Sequence, residues 1–256
     1  MKIAVLVKPV PGSESVLPIN SEQNWIEEES ATYVMNPPDN YALEEALITK
    51  EKLNKGEVVV VSMGPSRVQK VIRESLAKGA DRGIHIEEQD ELLKDPLAIA
   101  KLFAQTLREE QFDLIFTGLQ SDDTGMGQTG VLLGELLGMP TATLVIETKI
   151  HDDAITVKRE LESGWFQWVK LPLPSSISIQ SGLNTPRYPS LKGIMGAKRK
   201  EIRNIAVSDL NATAQNQLIK NIFIPQTSKQ TEFVEGDSEQ VVERIISILK
   251  SDIKVI

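Results

Sequence analysis

An α/β fold is predicted: a parallel twisted sheet with helices on both faces, an antiparallel extension at its edge, and a C-terminal arm. Three observations predict it. Four short runs rich in Val and Ile alternate with four helical patterns over the first 138 residues, which is the signature of βαβ units. From residue 141 to residue 182, strand-like runs follow one another with no helical period between them. Residues 184–202 then carry two prolines and two glycines and no clean period, as an exposed arm would.

The elements follow in order. "IAVLVKPV" is a buried-type strand stopped by Pro9 and Pro11. "NPPDNYALEEALITKEKLN" begins a helix, because Pro37 and Pro38 fit only a first turn and Asp39 or Asn40 can cap. Ala42, Leu43, Ala46 and Leu47 form its apolar face, which leaves Glu44, Glu45, Lys50 and Lys52 for solvent. "EVVVVSMGP" is a second buried strand, and "SRVQKVIRESLAKGADRG" a second helix closed by Gly79. "GIHIEE" is a third strand, followed by the helix "KDPLAIAKLFAQTLREE" with Asp95 as N-cap and Pro96 at its first position. "FDLIFTG" and "MGQTGVLLGELLG" make the fourth strand and helix. In the strand-only stretch, "HDD" and "ESG" are the turns of antiparallel ribbons that extend the sheet edge. The chain to about residue 235 is polar and weakly patterned, and "DSEQVVERIISILKSDI" is a last amphipathic helix capped by Asp237 or Ser238.

Composition narrows the function. A net charge of −8 argues against a nucleic-acid binder, which would show a basic face. With no cysteine, thiolate catalysis and Cys-held metals or clusters are excluded. The two histidines, His85 and His151, lie in a strand and a turn far apart, so a His-rich metal site is not expected. No apolar run approaches the roughly 20 residues that span a bilayer, and "MKIAVLVKPV" reads as a strand rather than a signal peptide. A bacterial cytoplasm is the expected compartment. No nucleophile–base–orienter set is legible, which favours a binding or carrier role without catalytic residues.

Ligands of parallel α/β sheets sit beyond the carboxyl ends of the strands. Four segments reach that edge: residues 8–12, "MNPPD", "SMGP" and "GLQSDDTGMGQTG". The last has no Lys after its glycines, so it is not a P-loop. Gly125, Gly127 and Gly130 fit G-x-G-x-x-G literally but lack the acidic ribose reader about 20 residues on. The amides at the helix start, residues 126–129, still offer an anion site, to which Gln128 and Thr129 add neutral donors. Asp122 and Asp123 would repel a phosphate. They suit ribose hydroxyls, an adenine amino group, or loop amides held as Asx turns.

In order, "MNPPDNYALEEAL", "SMGP", "RESLAKGADRGIHI" and "GLQSDDTGMGQTG" resemble segments of electron-transfer flavoprotein β subunits. "VKRELESGWFQWVKLPLPSSISI" followed by "NTPRYPSLKGIMGAKRK" is similar to that family's signature region. The resemblance covers about residues 1–200. It implies a Rossmann-like sheet of the adenine-nucleotide α-hydrolase type and a heterodimer with an α subunit. It also implies electrons taken from flavin dehydrogenases, often acyl-CoA dehydrogenases, and passed to a quinone-linked oxidoreductase. FAD would be held mainly by the α subunit and a structural AMP by this chain. The AMP-binding segments of the family fall on Leu6; on Asn36, Pro37, Pro38 and Asp39; on Met63; and on Gln120, Ser121, Asp122, Asp123, Thr124, Gly125, Met126, Gly127, Gln128, Thr129, Gly130 and Val131. Bifurcating relatives, which hold a second FAD there and use NADH, usually read D-G-D-T-A-Q-V-G in this loop. "SDDTGMGQTG" points to the AMP group. Some relatives place aromatics beside the flavin at the positions of Ser13 and Pro38, neither of which is aromatic here. The resemblance also implies that Leu191, with Tyr188, Ile194 and Met195 around it, anchors in a pocket of the partner dehydrogenase. The expected division is a nucleotide-binding domain over residues 1–184, then a partner-recognition loop and an arm packing on the α subunit over residues 185–256. A nucleotide-sensing module without a redox role is the reading from another class.

Overall fold

The computed structural model describes residues 1–89, 94–211, 214–225, 231 and 233–254. Two compact units divide the chain, Met1–Asn221 and Ile222–Ile256. The first is built on β1 (Lys2–Leu6), β2 (Pro9–Pro11), β3 (Tyr33–Met35), α1 (Pro37–Leu53), β4 (Glu57–Gly64), α2 (Val68–Lys78), β5 (Arg82–Glu87), α3 (Pro96–Leu107), β6 (Leu114–Gly118) and α4 (Thr129–Leu137). It continues through β7 (Thr141–Ile150), β8 (Ala154–Glu160), β9 (Phe166–Pro172), β10 (Ser175–Ile179), α5 (Leu191–Ala197) and β11 (Ile202–Ala206). The second unit carries α6 (Ser238–Ser247), which opens on a capping box of Asp237 and Gln240.

One nine-stranded sheet runs in the order β11-β5-β4-β1-β6-β10-β7-β8-β9. It is parallel from β11 to β7, and the hairpin strands β8 and β9 close that edge antiparallel. The predicted fold class is the observed one. Alternation along the strands sorts the core. Ile3, Val5, Val58 and Val60 pack under α1 and α2, while Ala4, Leu6, Val59 and Val61 pack under α3 and α4. Each fully buried Val or Ile contributes roughly 1.5–3 kcal/mol, so both faces of the central strands hold the helices in place. From β1 the sheet grows through β4 and β5 on one side, whereas β6 lies on the other. That reversal opens a crevice beyond the ends of β1 and β6.

Several expectations change. The N-cap of α1 is Asn36, and Asp39 sits inside the first turn, because the two prolines occupy the first two helical positions. Glu44 and Glu45 are buried rather than solvated, since later chain segments cover that side of α1. "SSISI" does not extend the edge. β10 returns to lie parallel between β6 and β7 with every residue buried. Its serines tolerate this because their hydroxyls find partners: Ser175 donates to Pro172 O (2.6 Å), Ser176 to Gly130 O (3.0 Å), and Ser178 meets Thr117 Oγ1 (3.1 Å). Within the weakly patterned stretch, residues 202–206 form the parallel edge strand β11. The first compact unit runs to Asn221, and within it residues 184–200 are bonded to α1 and α2. His85 is buried with Nε2 2.8 Å from Gly64 O, and His151 meets Thr156 Oγ1 at 3.0 Å, both structural arrangements.

Candidate functional site: a cavity at the strand ends

The loop after β6 is fastened to the start of α1. Gly118 allows the approach, since a Cβ there would lie 2.4 Å from Asp39 Oδ1 and 2.8 Å from the Pro38 backbone. Asn36, 1% exposed, is the hub. Its Nδ2 donates to Gln120 O and to Asp39 Oδ1, each at 3.0 Å, and its Oδ1 accepts from the Asp122 amide at 3.1 Å. Its own amide donates to Lys8 O at 2.9 Å. One residue therefore ties the chain after β1, the first turn of α1 and the loop together, the first through its backbone amide and the loop through its side chain.

Two acids flank Lys8 and meet different environments. Asp39 accepts from the Lys8 amide at 2.9 Å. Burial pushes its carboxyl up to about 7, against the bonds from Asn36 and the Lys8 and Gly118 amides and the Lys8 charge. Asp123 is also buried, but the Lys8 ammonium sits 2.7 Å from Oδ2 and 3.0 Å from Oδ1. Burial raises this carboxyl, yet the ammonium, the Ser121 hydroxyl and the Thr124 amide outweigh it and hold it below the usual range. Asp123 thus shapes the loop, taking the Thr124 amide at 2.6 Å, and Asp122 is exposed. The loop turns through Gly125 and Gly127, at φ +62° and +61°, a region that disfavours side chains. It delivers the chain to α4, whose first-turn amides have no intrahelical acceptor and whose N-cap Gln128 makes no side-chain cap bond. Gly130 and Gly134 seat α4 on the sheet, because Cβ atoms there would lie 2.5 Å from Thr117 Oγ1 and 2.3 Å from Thr141 Cγ2.

These elements enclose a cavity of about 240 Å³. Leu6, Asn36, Asp39, Met63, Gln120, Ser121, Thr124, Met126, Gly127, Gln128, Thr129 and Gly130 line it. Pro37, Pro38, Asp122, Asp123, Gly125 and Val131 are not among its lining residues. Sequence reasoning missed further lining: Lys94 just ahead of α3, Ile99 and Phe103 on α3, and Gln217, Leu218 and Ile219 from the later chain. Asp95 joins them, capping α3 through the Ala98 amide (2.7 Å) while its other oxygen accepts from the Asn216 and Gln217 amides. The Asp95 cap was the one legible signal that this turn is ordered. The cavity's lining is therefore mixed: Leu6, Met63, Ile99 and Phe103, which belong to one hydrophobic cluster, together with polar groups and the start of α4.

Tyr188, Leu191, Ile194 and Met195 lie well away in sequence and do not line the cavity. Residues 191–197 form the short helix α5, with Ser190 capping the Gly193 amide at 3.0 Å. Tyr188, Leu191 and Met195 are 94%, 83% and 73% exposed, and Ile194 is partly so. Arg187 lies just ahead and clasps Glu44 and Glu51 of α1; its hydrogen bond holds the Glu51 carboxyl below the usual range. Among the described residues no helix is long and apolar enough to cross a membrane.

The description "Electron transfer flavoprotein domain" belongs to the family whose profile matches residues 23–210. Among similar proteins, the electron transfer flavoprotein subunit beta of Bradyrhizobium diazoefficiens is 36% identical over the whole of both chains. That of Bacillus subtilis is 33% identical, again over the whole of both. That of Methylophilus methylotrophus is 32% identical over 97% of this chain and 98% of its own.

Proposed function

The chain belongs to the electron transfer flavoprotein family, among its β subunits, and from that premise we propose that it is the AMP-holding half of a soluble heterodimeric electron carrier. The α subunit holds FAD for the most part. Electrons come from flavin dehydrogenases such as acyl-CoA dehydrogenases and leave to a quinone-linked oxidoreductase, in the cytoplasm of a bacterium. This chain contributes binding and docking rather than catalytic side chains.

The cavity at the sheet's reversal carries the nucleotide reading. Its donor set suits a mononucleotide. The α4 amides, with Gln128 and Thr129, would take the phosphate, and the apolar residues Met63, Ile99 and Phe103 would take a purine. Asp123 is already paired with Lys8, and neither Asp122 nor Asp123 is among the residues that line the cavity, which lessens the repulsion expected of two loop acids. About 240 Å³ is near the lower end of small-ligand pockets, which favours AMP over a second, larger FAD. AMP bound there ties the loop to α1 and adds to stability by mass action.

The test is to co-express the chain with an α subunit, purify the heterodimer, and measure flavin absorbance and acid-extracted nucleotide. One FAD and one AMP per heterodimer are expected. Two flavins would establish the bifurcating alternative, and failure of any α subunit to co-purify would leave a nucleotide-binding module.

A further inference from the structure

We propose that residues 216–219 form a strap over the nucleotide cavity, and that Asp95 is the positioning residue that holds the strap in place and so sets how fast the nucleotide leaves. This rests on the reading that a mononucleotide occupies the cavity.

The chain after β11 is fastened to α3 at two points. Val207 and Leu210 pack against the apolar cluster that contains Leu102, Phe103 and Leu107 of that helix. Gln105 Oε1 then accepts from the Asn211 amide at 2.8 Å, and its Nε2 donates to Asn211 O at 3.3 Å, so one side chain grips the backbone as a neighbouring strand would. The second point lies at the other end of the helix. Asp95 Oδ1 accepts from the Ala98 amide at 2.7 Å, which caps α3. Its Oδ2 accepts from the Asn216 amide and, at 2.9 Å, from the Gln217 amide. About 15 Å of helix separates Gln105 from Asp95, so the later anchor brings the chain back to the first turn of α3, beside the cavity.

Asp95 does more than cap a helix. Burial raises its carboxyl, but the amides of Ala98, Asn216, Gln217 and Leu97 outweigh that and hold it below the usual carboxylate range, so at neutral pH both oxygens stay acceptors. The cap needs one oxygen. The other serves two amides that belong to no helix or strand, and the residues that follow from them, Gln217, Leu218 and Ile219, line the cavity. Residues 216–218 are exposed and Ile219 is half-buried, so this stretch stands between the cavity and water. Leu218 lines the cavity while 69% exposed; a nucleotide beneath it would take part of that side chain out of water, so ligand and strap stabilise each other. The loop after β6 is held through Asn36 and the Lys8–Asp123 pair, whereas the Asn216 and Gln217 amides share one carboxylate oxygen. Opening of the strap is therefore the easier way out, and the charge on that oxygen makes it slow.

The experiment uses the purified heterodimer loaded with tritiated AMP, chased with excess unlabelled AMP, and follows the rate at which label leaves. Asp95→Asn keeps the size and the capping oxygen but turns a donor toward the two strap amides. It should speed release about tenfold by loss of a charge-assisted contact. Amide exchange should rise at Leu218 and Ile219 and stay as in the wild type over residues 99–103 of α3. Asn216→Pro is measured beside it: it removes one strap donor at a residue outside the cavity lining and leaves Asp95 to cap α3. It too should speed release, and it decides the matter if Asp95→Asn fails to fold. Release at the wild-type rate in both variants would overturn the inference. So would faster release in Asp95→Asn alone, which would assign the effect to the α3 cap. Absence of AMP from the wild-type heterodimer would instead remove the nucleotide reading, and the inference with it.

Discussion

The loop after β6 and the segment before α5 are both irregular and both fastened to α1, yet they leave opposite groups unsatisfied. Residues 119–128 are fixed at the start of the helix, through Asn36, which Asp39 of the first turn holds in turn. Residues 184–190 are fixed one and more turns later, through Glu44, Glu45 and Glu51. In the loop, Ser121, Asp123 and Thr124 are paired with one another or with Lys8, and the residues at the start of α4 line a cavity. In the segment, the backbone is tied down and apolar side chains face water. The contrast teaches that an irregular stretch is defined functionally by what its anchors leave unpaired: donors suit a small anion, and apolar side chains suit another protein.

The harshest way to break the comparison is to remove the loop's hub. Asn36→Ala strands the Gln120 carbonyl, the Asp122 amide and the Asp39 carboxylate together. It should cost about 3 kcal/mol of unfolding free energy and empty the nucleotide site. Amide exchange should rise over residues 119–128 and not over residues 188–197. Equal loosening of both segments would show that α1 does not anchor them separately.

The Asp39 carboxyl gives a pH-dependent version. Its folded pKa, about 7, lies above the ordinary 3.8 of an exposed aspartate, so folding favours the protonated form. The stabilisation is complete below about pH 4, is lost as pH rises toward 7, and is gone above it. The unfolding free energy of the wild type minus that of Asp39→Asn should therefore fall by about 2–4 kcal/mol across that window. Urea titrations from pH 5 to 8 would show it, and a difference independent of pH would contradict the buried, protonatable site.

Leu191→Ala sharpens the other half. An anchor buried in a partner pocket contributes roughly 1.5–3 kcal/mol, or one to two decades in affinity for the dehydrogenase. The exposed position predicts a stability change within about 0.5 kcal/mol and unchanged FAD and AMP. A markedly lower melting temperature with flavin loss would mark Leu191 as a core residue instead.

The mildest change is Gly127→Ala. Neighbouring atoms leave room for a Cβ, the nearest at 3.5 Å, so the cost is the left-handed backbone, about 1–2 kcal/mol. Extracted AMP should drop while dehydrogenase reduction of the flavin persists, and Gly127→Val should empty the site. Retention of AMP by the valine variant at wild-type stoichiometry would place the nucleotide elsewhere.

Much of the site was legible because it lies near elements with strong local signals. Strand ends, the Gly-rich turn and the Asp95 cap each announce themselves within a few residues. The burial of Glu44 and Glu45 was not, because a helical pattern reveals only the face turned to the sheet. The residue that covers Glu44 is Arg187, 143 positions further on. The cavity's further lining, contributed by residues 94–103 and 217–219, was hidden for the same reason.

The sequence by itself determined the α/β class, the alternating strands and helices of the first 138 residues, and the four strand ends where a ligand could sit, since period and capping are local properties. Tertiary structure alone decided three things. It inserted β10 between β6 and β7. It buried two acids beside Lys8 and paired the ammonium with only one, so that burial raises the Asp39 carboxyl while the ammonium outweighs burial at Asp123. It also turned two helix-surface glutamates into buried anchors. Each depends on which distant segment arrives to exclude water or supply a partner, and burial and charge pairing are set by distance in space rather than by spacing along the chain.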